Sequence, residues 1–307
     1  MNSLTKDFYS DCYVKTGGFI PSKPLNYELF PGDFFQIHNG NIWVLGNIFK
    51  KGIIDRDEVV IESPKSLNQA TWAFNKGVTK PFSGRARTEV SPMDIDVSYS
   101  KQILAFNAAG SFIFNAAQPE VIRIANWSHI ADALIIKLTQ SFYSFREVYV
   151  VTECASANHW TLAVSGSDKG ELELATEEED FGTLDFFGHE TTKIVQSRDI
   201  ELHCHFDKRI PSFFKAKRLA VQEHNLEVFM SDLIRERSNH LSWGCDYFDG
   251  GFENDSSRSA MVSQGYNSAN YLDLLAANEL NPNTALSYFK WTNTTLDDVV
   301  KLFEING

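Results

Sequence analysis

Two histidines flank a cysteine at His203-Cys204-His205, a spacing that raises the possibility of a metal site. On a β-strand the two imidazoles would point to the same side, roughly 7 Å apart, which suits a single metal ion. No second pair of ligands follows at a fixed spacing. The pattern fits an exposed polar strand face as well as a metal site. We therefore keep His203 and His205 as metal-site candidates and predict no cofactor.

Cys154 and His159 stand five positions apart and could supply a nucleophile and a base. A catalytic cysteine needs a positive, partly exposed setting, whereas Cys154 lies in an apolar strand series that predicts a buried, inert thiol. The carboxylates Asp94 and Asp96 alternate with apolar residues, which predicts a solvated strand face rather than a general acid in an apolar pocket. We predict no catalytic residue from these groups.

The only basic cluster in the first half of the chain lies between residues 76 and 87, and it consists of Lys76, Lys80, Arg85 and Arg87. Such a cluster could contact lipid phosphates or a protein partner, or could guard a solvated sheet edge against aggregation. A second charged stretch, Trp243–Arg258, is acidic and rich in turn residues. It lacks the ligand spacing of an EF-hand calcium loop and predicts a surface loop.

The overall composition limits the function classes. The chain has 307 residues, 43% of them hydrophobic, which is enough for a packed core of one large or two modest domains. A net charge of −12 argues against a nucleic-acid partner. Four scattered cysteines indicate a reducing compartment, and the sequence shows neither a signal peptide nor a long apolar run. These features predict a protein made in the cytoplasm.

Period-2 alternation is the dominant pattern, and it predicts an antiparallel meander over Arg146–Leu174. Asn39-Gly40 predicts a hairpin within Phe34–Phe49, because both residues tolerate the positive φ of a type I′ turn. Further strands are predicted at Met93–Tyr99 and Ile103–Phe114, and two more at Glu190–Gln196 and Ile200–Phe206.

Helical spacing predicts a short N-terminal helix ending at Gly17-Gly18, a helix over Ser128–Ser141 and a long helix over Phe214–Ser238. In the second of these, Ser128 is the predicted cap, and one stripe holds Ile130, Leu134, Ile135 and Leu138. Short helices are predicted at Ala269–Glu279 and Thr294–Phe303. The predicted fold is α+β: a twisted, mainly antiparallel sheet with a packed helix over residues 1–212, followed by a smaller, mostly helical region over residues 213–307.

The order of these elements resembles the gasdermin family, especially its shorter bacterial members. The resemblance covers residues 1–212 and begins with a helix-like segment, the run GGFIPSKPLNYELF and a hairpin ending in WVLGNIF. Amphipathic strands follow in RTEVSPMDIDVSYSKQILAFNAAGSFIF and, after a helix, in REVYVVTECASANHWTLAVSG. The run GHETTKIVQSRDIELHCHF looks like the closing strand pair of the family.

This resemblance implies an autoinhibited, oligomeric, membrane pore-forming protein, typical of a defence function. Proteolysis would release the N-terminal domain from the C-terminal region, and amphipathic hairpins would insert into lipid. The resemblance implies that Met93–Tyr99 unfurls with Ile103–Phe114, and Val148–Cys154 with Trp160–Ser165. The implied membrane-inserting residues are Met93, Ile95, Val97, Tyr99, Ile103, Leu104, Phe106, Phe112, Phe114, Val148, Val150, Trp160 and Leu162.

Bacterial members of the family resemble proteins lipidated on a cysteine near the N-terminus, and Cys12 is the candidate for that modification here. The implied partners are membrane lipids, further copies of the chain and an activating protease. Two other hypotheses remain open. One is a cytosolic interaction or regulatory module that binds a protein through the aromatic-rich hairpin region Tyr27–Phe49. The other is an enzyme whose site gathers dispersed residues such as His189, His203 and His205.

Overall fold

A computed structural model describes residues 3–67, 71–88, 97–139, 148–176, 187, 192–221 and 282–304. Within these residues the chain is mainly antiparallel β-sheet with a few helices, which confirms the predicted α+β class. The helices are α1 (Lys6–Lys15), α2 (Trp127–Thr139), α3 (Pro282–Tyr288) and α4 (Leu296–Lys301).

The strands that precede α2 are β1 (Ile20–Pro21), β2 (Asp33–His38), β3 (Asn41–Asn47), β4 (Ile61–Ser66), β5 (Thr71–Lys76), β6 (Val78–Thr88), β7 (Val97–Phe106), β8 (Phe112–Ala117) and β9 (Glu120–Ile124). Those that follow it are β10 (Tyr149–Ser156), β11 (Trp160–Ser165), β12 (Glu171–Thr176), β13 (Lys193–Arg198), β14 (Ile200–Phe206), β15 (Pro211–Val221) and β16 (Phe289–Asn293).

Three sheets are formed from four long chain segments. We number these segments 1 to 4: residues 61–88, 97–124, 149–176 and 193–221. Each segment contributes one strand to each sheet, and neighbouring segments are antiparallel. Sheet A contains β4, β9, β10 and β15 together with β1, β2, β3 and β16; sheet B has the order β5-β8-β11-β14; sheet C has the order β6-β7-β12-β13. The molecule is therefore a four-segment ribbon interrupted twice along its length.

Segments 2 and 3 keep one register through all three sheets. Ser100 pairs with Thr176 in sheet C, Phe112 with Val164 in sheet B and Arg123 with Glu153 in sheet A. Between two successive sheets, segment 2 and segment 3 therefore contain the same number of unpaired residues. The two segments form the continuous centre of the ribbon.

The core is concentrated under sheets A and B. Helix α1 inserts Phe8, Tyr9 and Cys12 into the largest apolar cluster, where Phe114 and Trp160 are also fully buried. Helix α2 buries its predicted stripe against sheet A, and the members of that stripe are Ile130, Leu134, Ile135 and Leu138. This stripe is confirmed, but α2 begins at Trp127, so Ser128 lies inside its first turn and is not the cap.

The β2–β3 hairpin is confirmed at the predicted turn. Asn39 and Gly40 both have positive φ, at 49° and 71°, as a type I′ turn requires. The N-terminal helix is also confirmed: α1 ends at Lys15, ahead of Gly17 and Gly18, whose φ values are 72° and 103°.

Several predicted strand partners are wrong. The meander over Arg146–Leu174 contains three strands, but β10, β11 and β12 lie in three different sheets instead of pairing with one another. The two strands predicted to close the domain, β13 and β14, likewise pair with β12 and β11 and not with each other. Ile103–Phe114 is not one strand, because a turn at residues 107–111 separates β7 from β8. Alternation reveals strands, but it does not encode the partner, which comes from a distant part of the sequence.

The helix predicted over Phe214–Ser238 is wrong at its start, where β15 runs to Val221 between β10 and the strands β1 and β16. Its apolar residues do not alternate strictly, because the neighbours Phe213 and Phe214 are both buried and Leu219 follows five positions later, so the run mimics helical spacing. The predicted boundary between residues 212 and 213 falls inside β15. The predictions for Trp243–Arg258 and Ala269–Glu279 lie outside the described residues.

Candidate functional site

Sheet C joins two hairpins side by side. Strands β6 and β7 have 11 and 10 residues, strands β12 and β13 have 6 each, and β7 pairs with β12 at the centre. Thr88 pairs with Val97 at one end of sheet C, and Ser100 pairs with Thr176 close to it. Both hairpin connections therefore leave the sheet from the same end.

The described side chains of sheet C separate into an apolar face and a polar face. Leu104 lies opposite Leu172, and both are completely buried, in one small cluster with Leu174 and Phe187. The other face mixes charged and uncharged residues: Lys101 forms an ion pair with Glu173, and Ile103 and Ala105 pair with Glu173 and Glu171. The sheet is thus amphipathic across its two central strands.

The predicted membrane-inserting residues do not share one surface. Those placed in sheet C are Val97, Tyr99, Ile103, Leu104 and Phe106, of which Leu104 and Phe106 lie on the apolar face and Ile103 lies opposite Glu173. Those buried in the large core of sheet B are Phe112, Phe114, Trp160 and Leu162, and those buried under sheet A are Val148 and Val150. Met93 and Ile95 lie outside the described residues, as do the side chains of Val97 and Tyr99.

The strand pairs expected to unfurl together are also corrected. Strand β7 forms its hairpin with β6, not with the strand that follows it, and β10 pairs with β2, β9 and β15 rather than with β11. Sequence reasoning missed β6 as a partner. Its run VTKPFSGRART contains a proline and two glycines, if Gly77 is counted with it, and has no apolar alternation.

The basic cluster follows segment 1 across the boundary between sheets B and C. Lys76 ends β5 and donates to Asp7 of α1 at 2.9 Å, which raises the pKa of the lysine. Lys80 is exposed in β6, and the backbone register places Arg85 opposite Ser100 and Arg87 opposite Ser98. The four basic residues thus lie along the consecutive strands β5 and β6, and Lys76 forms an ion pair with the N-terminal helix.

Cys12, the lipidation candidate, and Cys154, which was predicted to be buried, are both inaccessible. Cys12 is fully buried on the inner side of α1, and burial raises the pKa of its thiol well above the ordinary range. Burial likewise raises the pKa of the Cys154 thiol, as the alternation predicted. In this fold the Cys12 thiol is not exposed to a lipidating enzyme, and its lipidation stays a prediction.

His203 and His205 project from the exposed side of β14. The Nδ1 atom of His205 lies 2.8 Å from the hydroxyl of Thr161, and burial together with the charge of His205 lowers the pKa of His203. Among the residues that the structure describes, no group of three histidine, cysteine, aspartate or glutamate side chains could hold a metal ion. His189 lies outside those residues.

Asp298 connects the C-terminal part to the centre of sheet A. Its side chain is buried and accepts hydrogen bonds from the Tyr149 hydroxyl and from Arg218, both at 2.9 Å. It also accepts bonds from the backbone N–H of Thr295, the N-cap of α4, at 2.8 Å, and from its hydroxyl. The sequence signal for this group is the short spacing between Thr295 and Asp298, which is typical of a capping box.

The end of the chain also covers α1 and the first hairpin. The Tyr13 hydroxyl donates to the carbonyl of Thr294 at 2.8 Å, and the rings of Tyr9 and Phe303 meet edge to face at 5.1 Å. A Cβ on Gly40 would lie 2.9 Å from the carbonyl oxygen of Leu302, so the turn is closed against the end of α4. The described C-terminal residues therefore belong to the same packed body as the N-terminal part.

Large aromatic side chains are exposed around the first hairpin. Tyr27, Phe30 and Trp43 are 41%, 47% and 60% exposed. Of the three, Phe30 lines an open cleft of about 520 Å³, whose other lining residues are Asp33, Asn47, Phe49, Lys50 and Arg56. This region corresponds to the predicted binding face at Tyr27–Phe49.

Comparisons with known proteins show a weak structural resemblance. No protein-family model matches the chain, and no curated protein matches it. Among solved structures, a bacterial gasdermin from Bradyrhizobium tropiciagri aligns with 64% of this chain and 79% of its own, with a TM-score of 0.22 and 11% sequence identity. None of the helices that the structure describes has the length and hydropathy to cross a membrane.

Proposed function

We propose that this protein permeabilises membranes by inserting the two adjacent hairpins of sheet C. The observation that supports this proposal most directly is the pairing of β6–β7 with β12–β13 in one amphipathic sheet whose connections leave at the same end. A membrane-spanning strand needs about 9–11 residues. Strands β6 and β7 meet that length already, with 11 and 10 residues.

The amphipathic character of the sheet suits a barrel wall. In lipid, a sheet satisfies its backbone hydrogen bonds only when it closes on itself. The face that carries Leu104, Leu172 and Leu174 would contact lipid, and the face that carries Lys101 and Glu173 would line the water-filled interior. Within the described residues, β6 and β13 are the edges of sheet C, so closure requires further copies of the chain.

The C-terminal elements supply the autoinhibition in this proposal. Strand β16 covers the edge of β15 over five residue pairs, and α4 is held by the bonds of Asp298. A protease that cuts the chain between Val221 and Pro282 would remove the covalent link to these elements. Their release would then require only that non-covalent contacts break. The partners are then a protease, membrane lipids and copies of the chain, and the protein moves from the cytoplasm to a membrane on activation.

A vesicle-leakage experiment tests the proposal with the full chain. A specific protease site is inserted between Val221 and Pro282, and dye release is followed from anionic and zwitterionic vesicles before and after cutting. The control carries the scrambled site and receives the same protease. We expect leakage only after cutting. Cut protein that keeps its circular dichroism but releases no dye from either vesicle contradicts the proposal.

A second candidate function rests on the exposed aromatic residues. Tyr27, Phe30 and Trp43 would bind a protein partner, with Phe30 at the cleft, because aromatic residues supply much of the energy of protein interfaces. A photo-crosslinking amino acid at Trp43 in cells should give one discrete adduct, which Phe30→Ser should abolish. Absence of any adduct at Trp43, when the protein is folded, argues against this function.

A further inference from the structure

All four segments are interrupted at the same level, between sheets B and C. Segment 1 is interrupted at Gly77, segment 2 at residues 107–111, segment 3 at residues 166–170 and segment 4 at Asp199. We call these residues the joint. Since the interruptions lie side by side in the strand order, the joint is a line that crosses the whole ribbon.

The outer and inner segments cross the joint in different ways. The outer segments use one residue each, Gly77 with a φ of 67° and Asp199 with a φ of 51°. The inner segments use five residues each, since Lys76 pairs with Phe112 on one side of the joint and Val78 pairs with Phe106 on the other. Straightening the inner loops would force the hairpins to slip in register, so the joint is a fixed feature of the paired ribbon.

The hydrogen bonds within the joint are bonds of turns and loops. The N–H of Asn107 donates to the carbonyl of Gly77, that of Gly110 to Ser165 and that of Gly166 to Asp199, each at 2.9 Å. The ladders of sheets B and C stop on either side. A few turn residues that connect two regular elements can absorb a change of backbone angle, as hinge residues do.

The two sheets beside the joint differ greatly in packing. Sheet B is anchored in the largest core cluster through fully buried residues such as Phe112, Phe114 and Trp160. Sheet C contributes to a much smaller cluster, which crosses the joint and includes Ile113 and Ala163 of sheet B, and every residue of β13 is exposed. Because apolar burial determines local stability, sheet C is the less stable of the two sheets, and its turning would open this small cluster while the large core of sheet B stays intact.

We infer that the joint is a hinge about which β6, β7, β12 and β13 turn as one body relative to sheet B. This inference rests on the proposed function in one respect: the hinge is the place where the two hairpins would change direction to enter a membrane. The line of single left-handed residues and five-residue loops is nevertheless a property of the folded chain in solution.

Distance measurements between spin labels test the hinge in the full chain. Labels are introduced as genetically encoded amino acids, which leaves the native cysteines untouched. One pair joins Thr71 in sheet B to Val195 in sheet C, and the control pair joins Thr71 to His203 within sheet B; all three positions are exposed. Because both pairs share the label at Thr71, the motion of that label contributes equally to the two distance distributions.

We expect a broader or bimodal distance distribution for Thr71–Val195 than for Thr71–His203 in buffer, and a further shift of the first pair alone when anionic vesicles are added to the cut protein. Equal widths for the two pairs in both conditions overturn the hinge. The leakage assay stays separate from this readout. A moving joint without leakage overturns the proposed function alone, whereas leakage with a rigid joint overturns the hinge alone.

Discussion

The hydroxyl of Tyr149, at the start of β10, donates to the carboxylate of Asp298 in α4 at 2.9 Å, inside the core. These residues are 149 positions apart in the chain and meet beside Arg218 of β15. Through this buried carboxylate, Tyr149 and Arg218 hold helix α4 against the central strands of sheet A. The C-terminal elements are thus attached by a few strong polar bonds in addition to one edge strand.

Asp298→Ala should destabilise the fold by about 3 kcal/mol, the lower end of the range for breaking a buried ion pair, because Arg218 is partly hydrated. Asp297→Ala is the matched control, since Asp297 is exposed in the same turn of α4 and should cost less than about 1 kcal/mol. Urea unfolding of both variants measures the difference. Similar midpoints for the two would show that the buried carboxylate contributes no special stability.

Glu62 should make stability depend on pH in the acidic range. Bonds from Arg123 and Lys65 lower the pKa of this carboxyl from its ordinary value of 4.5 to about 2. A carboxyl with a lower pKa in the folded chain stabilises it above the unfolded pKa, and that stabilisation is lost as the pH falls to the folded pKa. The effect is therefore complete above a pH of about 5 and disappears near a pH of about 2.

The measurement for this prediction compares the urea midpoints of wild type and Glu62→Gln across that pH window. The wild-type advantage should shrink steadily as the pH falls. Arg123→Gln should remove most of the same pH dependence, because Arg123 is the larger cause of the lowered pKa. A constant difference between wild type and Glu62→Gln at every pH would contradict the assignment.

Gly77→Ala should cost more stability than Gly52→Ala. The two glycines have φ values of 67° and 65°, so alanine pays a similar backbone cost at each, about 1 kcal/mol. A Cβ at position 77 would also lie 2.4 Å from the Ser111 hydroxyl, whereas one at position 52 meets nothing within 4 Å. We expect an additional loss of roughly 1–3 kcal/mol at Gly77 from this overlap.

Thermal unfolding of the two alanine variants measures that difference. Combining Gly77→Ala with Ser111→Gly should recover part of the loss, because the second change removes the side chain that the new Cβ meets. Equal costs at positions 52 and 77 would mean that the joint relaxes freely around the methyl group.

Ile194→Lys should reduce vesicle leakage by the cut protein, whereas Gln196→Lys should not. Ile194 pairs with Leu174, on the apolar face of sheet C, and Gln196 pairs with Glu173, on the polar face. Both residues are exposed in β13, so neither lysine disturbs the folded core. A lysine facing the middle of a bilayer costs about 2–4 kcal/mol, and one facing the interior of a barrel costs little. Equal leakage from the two variants would contradict the proposal that the face carrying Ile194 contacts lipid.

Part of the candidate site follows from local sequence. Along β12, alternation places Leu172 and Leu174 on one face of the strand and Glu171 and Glu173 on the other, so the amphipathic character of that strand is predictable. The same alternation does not reveal that β12 lies between β7 and β13. Strand β6, with its proline and its poor alternation, is recognised as a hairpin partner only through its register with β7.

By itself, the sequence determined the α+β class, the turn at Asn39-Gly40, the buried stripe of α2 and the position of most strands. These features depend on contacts between near neighbours, and residue type and spacing encode them directly. Tertiary structure decided which strands pair, that β15 is a strand and not a helix, that Asp298 lies in the core and that one joint crosses four segments. Each of these features depends on contacts between residues that are far apart in the chain. Such contacts form only when the whole ribbon packs, and no local sequence pattern specifies them.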